Sequence, residues 1–444
     1  MNSTEPSASN PTSPKLRREI GLFGAMMLGL GSIVGTGVFV SIGVAAGVAG
    51  SNVILATFLA SLLAICNGLS SAQLAALHPV SGGTYEYGYR WLGSRFGFTA
   101  GWLFLCAKSA SAATAALGLA TYLVTVLNWS SKEGGWNLTL VVIALLILLG
   151  VLMVVMIGIR RTSIINSVIV SVTLAALACL VGVSIFDLVN PNPDNFEGWM
   201  DFSNGKTSGL LTATALMFVA YTGYGRIATL GEEVHEPRRT IPRAMIITLA
   251  VTMLLYLSVG WAAIATVGAE QLSQSVKSAK GPLLYVAQQL NSPWLVIVLS
   301  IGAATAMLGV ILNLLLGLSR VVLAMARRDD MPTSLAQINS RGVPQSATLL
   351  VSLIVGGLVL LGDVRIAWSF SAFMVLVYYS ITNLCALRVD KSERLYPAWV
   401  SLLGLAGCLF LAFWIDPRIC GVGVGIVLVG LIWHAMRSRG RTVM

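Results

Sequence analysis

The sequence predicts an all-α integral membrane protein with 12 transmembrane helices, and three observations carry that prediction. Of 444 residues, 56% are hydrophobic and 10% charged, with a mean hydropathy of +0.83, whereas soluble domains carry about 25% charge. Apolar stretches near the roughly 20 residues that span a hydrocarbon core recur along the chain. Lysine and arginine alternate between rich and poor connections, as the cytoplasmic bias of basic residues requires. Together these exclude a disordered chain, a coiled coil and a large soluble enzyme. The 45 glycines and 14 prolines show no triplet period, which excludes collagen.

Residues 1–19 carry Pro and Ser with Lys15, Arg17 and Arg18 but no apolar core, and are expected to form a cytoplasmic tail rather than a signal peptide. Five spans follow, at 20–48, 51–77, 94–127, 137–158 and 163–189, and form a first five-helix unit over 20–189. Five more, at 209–230, 241–267, 293–325, 345–361 and 364–387, form a second over 209–387. Spans at 396–415 and 420–437 and a tail at 438–444 complete the chain. Connections are short and carry Gly, Pro, Asn or clustered charge. With the amino terminus inside, 19 of the 28 Lys and Arg residues fall in cytoplasmic segments and six outside. Both termini are therefore expected to be cytoplasmic, in a cell membrane. The net charge of +10 then reports orientation, and no nucleic-acid partner is expected.

Two spans read as interrupted. The first contains Gly29-Leu30-Gly31-Ser32-Ile33-Val34-Gly35-Thr36-Gly37. Each glycine costs about 1 kcal/mol in a helix interior. A small-residue packing face would explain Gly31 and Gly35 but hardly the triplet Gly35-Thr36-Gly37. The sixth contains Tyr221-Thr222-Gly223-Tyr224-Gly225-Arg226. Each is the first helix of its unit. Five is odd, so the two units would be inverted repeats, and interrupted helices at matching positions point to a transporter's midplane site. Freed amides near Gly35–Val38, at the positive end of a half helix, suit a carboxylate. Carbonyls near Ile33 and Val219–Thr222 suit an ammonium group. The pair makes a receptor for an amino acid zwitterion, and irregular backbone at this depth must line a polar cavity.

These residues resemble the amino acid–polyamine–organocation (APC) superfamily of permeases over essentially the whole chain. The resemblance rests on GLGSIVGTGVF in the first span and on Pro79-Val-Ser-Gly-Gly-Thr-Tyr85. It rests also on FVAYTGYGRIATLGEEVHEPRRTIPRA (218–244) and on Ser319–Ala326 followed by Arg327–Pro332. It implies a LeuT-type fold, two inverted five-helix repeats plus two helices, with spans 1, 2, 6 and 7 rocking against 3, 4, 8 and 9. By motif position, Thr36 and Gly37 would offer amides to the substrate carboxylate, and Ile33, Val219 and Thr222 carbonyls to its amino group, with Gly35 beside them in the substrate site. Relatives often carry a second aromatic where this chain has Val219, so gating is expected from Phe218 or Tyr221. Gly225 stands where many relatives have an acid, and Arg226 follows.

Lys108 lies deep in the third span, and an ionisable residue there is functional by default. It must bond backbone carbonyls, reach water or give up its proton. Some sodium-independent relatives place a lysine ammonium at a sodium position on the fifth span, where this chain has Thr173. Lys108 is expected to project towards the first-span break and either titrate in transport or replace a cation; a snorkelling lysine is the alternative. Arg226 is read either as an ion-pair partner of Glu233 or as a gating or selectivity residue, and Arg320 as an interfacial anchor. Between Thr305 and Ser319 the eighth span offers only Asn313 as a further oxygen ligand, which argues against sodium and leaves proton coupling or exchange. The six cysteines are scattered and the three histidines share no helical face, so no metal or cofactor is expected. The expected function is sodium-independent secondary transport of amino acids. The alternatives are a polyamine or organic-cation carrier, a non-transporting receptor and a polytopic membrane enzyme. Lys108 and Arg226 disfavour a cationic substrate side chain; a neutral one is preferred and an acidic one stays open.

Overall fold

The computed structural model describes residues 20–80, 82–127, 137–157, 163–187, 193–203, 206–229, 231, 233–278, 280–290, 292–339 and 343–441. The expected tail 1–19, Lys132, the Arg160–Arg161 pair, Glu232 and Arg341 lie outside the described residues, as do the side chains of Asp187 and of the 438–444 tail.

The first predicted span is three pieces: α1 (Leu22–Ile33), α2 (Thr36–Phe39) and α3 (Ser41–Ala49). After a 3-10 turn at Gly50–Asn52 come α4 (Val53–Leu77), α5 (Thr84–Trp91), α6 (Ser94–Val126), α7 (Leu138–Ile157) and α8 (Ser163–Asp187). The sixth span is α9 (Lys206–Tyr221), a 3-10 turn at Thr222–Tyr224, and α10 (Gly225–Thr229). Then follow α11 (Pro237–Lys277), α12 (Pro282–Gln289), α13 (Pro293–Arg327), α14 (Gln345–Val359), α15 (Val364–Leu387), α16 (Ala398–Ala412) and α17 (Pro417–Arg441). Among the described residues there is no strand, only an isolated parallel bridge between Ile20 and Val234 that ties the start of α1 to the segment after α10.

Among the described residues, nine helices are long and apolar enough to cross a membrane, against the twelve spans expected. The difference has a physical reason. Helices α9, α14 and α16 have 16, 15 and 15 residues, and at 1.5 Å per residue they reach only about 23 Å. Ser41–Leu77 also runs the end of the first predicted span into the second. The seventh predicted span stops at 267, and there Gly268 (φ 72, ψ 166) breaks the helical path inside α11.

Helix α7 buries Leu140, Ala144, Leu148, Val151 and Val155 at helical spacing and leaves Leu146, Leu149, Met153 and Ile157 exposed. A continuous apolar outer face of this kind suits lipid. Inside, α4 packs along α11 and α9, while α6 packs along α13 and α15. At one end of the molecule, α5, the exit of α13 and α17 converge on buried Asp330. Tyr85 and Tyr89 donate hydroxyls to its Oδ2 at 2.9 and 2.5 Å. The Trp433 indole donates to its carbonyl at 2.9 Å, and His434 lies 3.6 Å from its Oδ1.

Candidate functional site

Beside the meeting of the two interruptions lies a cavity of about 600 Å³, lined by Ser32 from the first and by Thr222, Gly223 and Gly225 from the second; the expected substrate-binding residues Ile33, Gly35, Thr36, Gly37 and Val219 are not among its lining residues. In the first, α1 stops at Ile33, Val34 turns extended (φ −78, ψ 98) and α2 restarts at Thr36. The amides of Val38 and Phe39 both donate to the Gly35 carbonyl at 3.1 Å, so Val38 is not free as expected. That of Gly35 has no backbone acceptor among the described residues. The Thr36 hydroxyl, in a residue 4% exposed, likewise has no partner among them. A buried, unmet donor set is costly unless something else binds it.

In the second, Gly223 carries the argument. A Cβ there would collide with the Ser32 carbonyl and stand 2.6 Å from the Ile33 nitrogen, so the two interruptions touch backbone to backbone. A Cβ on Gly37 would stand 2.8 Å from both the Ala220 Cβ and the Tyr256 hydroxyl, which fixes α2 against the end of α9.

Each carbonyl expected to receive an ammonium group accepts from a side-chain hydroxyl. Tyr256 donates to Ile33 O at 2.8 Å and reaches Ala220 O at 3.3 Å. The Thr222 hydroxyl donates to Val219 O at 2.8 Å, and Tyr379 donates to Thr222 O at 3.3 Å.

Lys108 donates from Nζ to the Thr222 hydroxyl at 2.9 Å. The expected direction is corrected: it reaches the sixth-span interruption, because α6 lies against α13 and α15 and opens at this depth onto Thr222. Lys108, Thr222, Gly223 and Arg226 line the cavity together. The Arg226 guanidinium rests over Gly317, where a Cβ would lie 3.7 Å from it. Glu233 lines the same cavity. So does exposed Arg320, which on α13 shares a face with Asn313 and Arg327, spaced by seven residues.

The expected gates turn away from the cavity. Tyr221 is buried, donates to Thr57 O at 3.3 Å and packs 5.1 Å from the Tyr256 ring. One residue along a helix rotates a side chain by about 100°, which sends Tyr221 towards α4 and α11 while Thr222 faces the cavity. Phe218, one turn earlier, is fully buried edge-on to Tyr379 at 5.7 Å. The cavity aromatics are Phe104, Tyr378 and Tyr379. These and Tyr256 were missed; for the three tyrosines the sequence signal was a buried phenol in an apolar span, which needs a partner for its hydroxyl.

The oxygens considered for sodium turn inward to their own helices. Thr173 donates to Ile169 O at 2.9 Å, Thr305 to Ile301 O at 2.8 Å and Ser319 to Leu316 O at 3.1 Å. Asn313 lines the cavity.

Comparison with known proteins agrees with this geometry. A family model described as amino acid permease matches residues 24–439. An uncharacterized transporter of Mycobacterium tuberculosis is 38% identical over 95% of this chain and 92% of its own length. The branched-chain amino acid permease BcaP of Bacillus subtilis is 28% identical over 97% and 95%. Cationic amino acid transporter 4 of Homo sapiens is 28% identical over 88% of this chain and 63% of its own length. All are transporters rather than enzymes.

Proposed function

The chain belongs to the amino acid permease family, and on that premise we propose that it is a secondary transporter that moves amino acids by alternating access, independently of sodium. The observation that carries this reading is the backbone-to-backbone meeting of two interrupted helices beside one cavity, which Ser32 of the first and Thr222, Gly223 and Gly225 of the second line. The amides of Gly35, Thr36 and Gly37 would bind the substrate carboxylate and the carbonyls of Ile33, Val219 and Thr222 its ammonium. Twelve spans arranged as inverted repeats over 20–189 and 209–387, plus two helices, account for the placement of the interruptions. With both termini cytoplasmic in the plasma membrane, the cavity mouth at Arg327 and Arg328 faces inward.

Lys108 occupies the place of a coupling cation, either titrating in each cycle or standing in for one permanently. Its bond to Thr222, one of the carbonyl-bearing residues, supports that role. Substrate identity does not follow from the relatives: they are named for branched-chain amino acids, for cationic amino acids and for methylthioribose. The test is flux of labelled amino acids into proteoliposomes holding the purified chain. Saturable uptake without a sodium gradient is expected, and binding without flux would sink the proposal.

A further inference from the structure

Away from the central cavity, a groove of about 460 Å³ runs where α4 and α8 pack against α11, within the roughly 300–1,000 Å³ of small-molecule pockets. Phe58 reaches it from the second turn of α4, Ile185 from the last turn of α8 and Trp261 from α11, two turns before the break at Gly268. Helix α4 leads into α5, which Glu86 and Arg328 tie to the exit of α13. The groove therefore lies at the end of the molecule opposite Arg328, near one surface of the membrane. Its lining is apolar apart from the Ser258 hydroxyl and the Trp199 and Trp261 indoles.

The groove is continuous with the face the protein turns to hydrocarbon. Exposed Leu62 follows Phe58 by one turn on α4, exposed Leu254 precedes Ser258 by one turn on α11, and Ile185 is itself exposed. What surrounds these helices is what can enter the groove. Its tryptophans suit the level of the lipid headgroups, where indoles concentrate.

The edge over the groove is built on a strained residue. Met200 has φ 57, a left-handed backbone uncommon for residues with a side chain. Asn52 holds it there: its Oδ1 accepts from the Met200 amide at 2.8 Å, and its Nδ2 donates to the Gly198 and Asp201 carbonyls at 3.4 and 3.2 Å. Such strain persists only where the surroundings impose it, and it marks positions of use. Here it sets an exposed thioether beside Trp199 along the groove, and methionine adapts to irregular apolar shapes. One residue on, Asp201 pairs with Lys206 at 2.5 Å. The edge thus turns from apolar to charged within one residue, as hydrocarbon gives way to headgroups at a bilayer surface.

We propose that this groove is a binding site for one acyl chain of a phospholipid in the leaflet opposite Arg328, with the headgroup beside the Asp201–Lys206 pair. Lipid tails are as apolar as these side chains, so retention comes from packing against three helices at once rather than from hydrophobicity. The site goes beyond amino acid transport, and its test reads retention rather than flux, so either can fail without the other. The full chain is reconstituted in palmitoyl-oleoyl phosphatidylcholine with a trace of the same lipid carrying a diazirine on one chain. It is then extracted, washed stepwise with detergent and photolysed, and labelled peptides are mapped by mass spectrometry. After washing, label on the peptides holding Phe58, Ile185 and Met200 is expected to exceed that on the exposed α7 face of Leu146, Leu149 and Met153 at least fivefold. Ser258→Phe, which fills the groove, is expected to bring the two to parity; the washing series itself needs no variant to fold. Groove label that washes out in step with α7 label overturns the proposal, as does retained label unmoved in a monodisperse Ser258→Phe protein. A dimer that buries these peptides against a second copy overturns it too.

Discussion

Gly223→Ala tests whether the contact between the two interruptions is a working part of the carrier. The added carbon would lie 2.6 Å from the Ile33 nitrogen and closer still to the Ser32 carbonyl. Non-bonded heavy atoms prefer roughly 3.5–4.0 Å, so the Thr222–Tyr224 turn must retreat by about 1 Å. The obstructing atoms are backbone at the end of α1 and cannot swing aside. Overpacking of this sort costs about 1–3 kcal/mol, and a misplacement of about 1 Å at a reacting or binding geometry costs on the order of 100-fold in rate. Alanine's own backbone preferences are compatible with a short helical turn, which isolates the steric effect. The assay is initial-rate uptake in proteoliposomes, with thermal unfolding of the purified protein alongside. Expected are uptake lowered at least tenfold and a melting temperature lower by a few degrees. Gly260→Ala in α11 is the control: nothing lies within 4 Å of that Cβ, and it is expected to transport normally and to gain about 0.5–1 kcal/mol of stability. A monodisperse Gly223→Ala protein with wild-type uptake would refute the claim that the two interruptions are held in register by this contact.

Other perturbations have equally definite outcomes. Lys108→Ala removes a charge-assisted hydrogen bond of about 1.5–3 kcal/mol and is expected to lower uptake ten- to a hundredfold; full, pH-independent uptake measured at two pH values would remove Lys108 from coupling. Tyr256→Phe strips the hydroxyl from the Ile33 and Ala220 carbonyls, costing about 1–3 kcal/mol; a lower melting temperature and a raised KM are expected, and an unchanged pair would show the hydroxyl to be idle. Outside the spans, burial together with the Arg90 and Arg328 guanidiniums holds the His78 imidazole below its ordinary range. The unfolded chain therefore takes up the proton first, so this share of stability is present above about pH 6.5 and is lost as pH falls through the lowered folded value. Thermal unfolding against pH should show that loss in the wild type and less of it in His78→Gln.

The sequence exposed the interruptions because glycine is costly in a helix interior, and Gly35-Thr36-Gly37 and Gly223 with Gly225 stand where a packing motif would not need them. It exposed Lys108 because a charge at that depth has few innocent explanations. The tenth span, 364–387, coincides with α15. What stayed hidden was orientation. Thr222 and Tyr221 are adjacent in the chain, yet one faces the cavity and the other the α4–α11 core. No periodicity within a helix hydrophobic on every side distinguishes them. Tyr256 and Tyr379 were hidden for the related reason that a carbonyl freed by a broken helix takes its donor from another helix, far away in sequence.

The cluster around Asp330 has a consequence for the order in which this protein can be completed. Tyr85 precedes its acceptor by 245 residues, and Trp433 follows it by 103. A chain made from its amino terminus inserts α5 long before Asp330 exists, and the exit of α13 before α17 arrives to hold it. The contacts on Asp330 are thus completed only once α17 has been made. Shortening the chain at its carboxyl end would leave the meeting of the interruptions intact and deprive Asp330 of the contacts from Trp433 and His434.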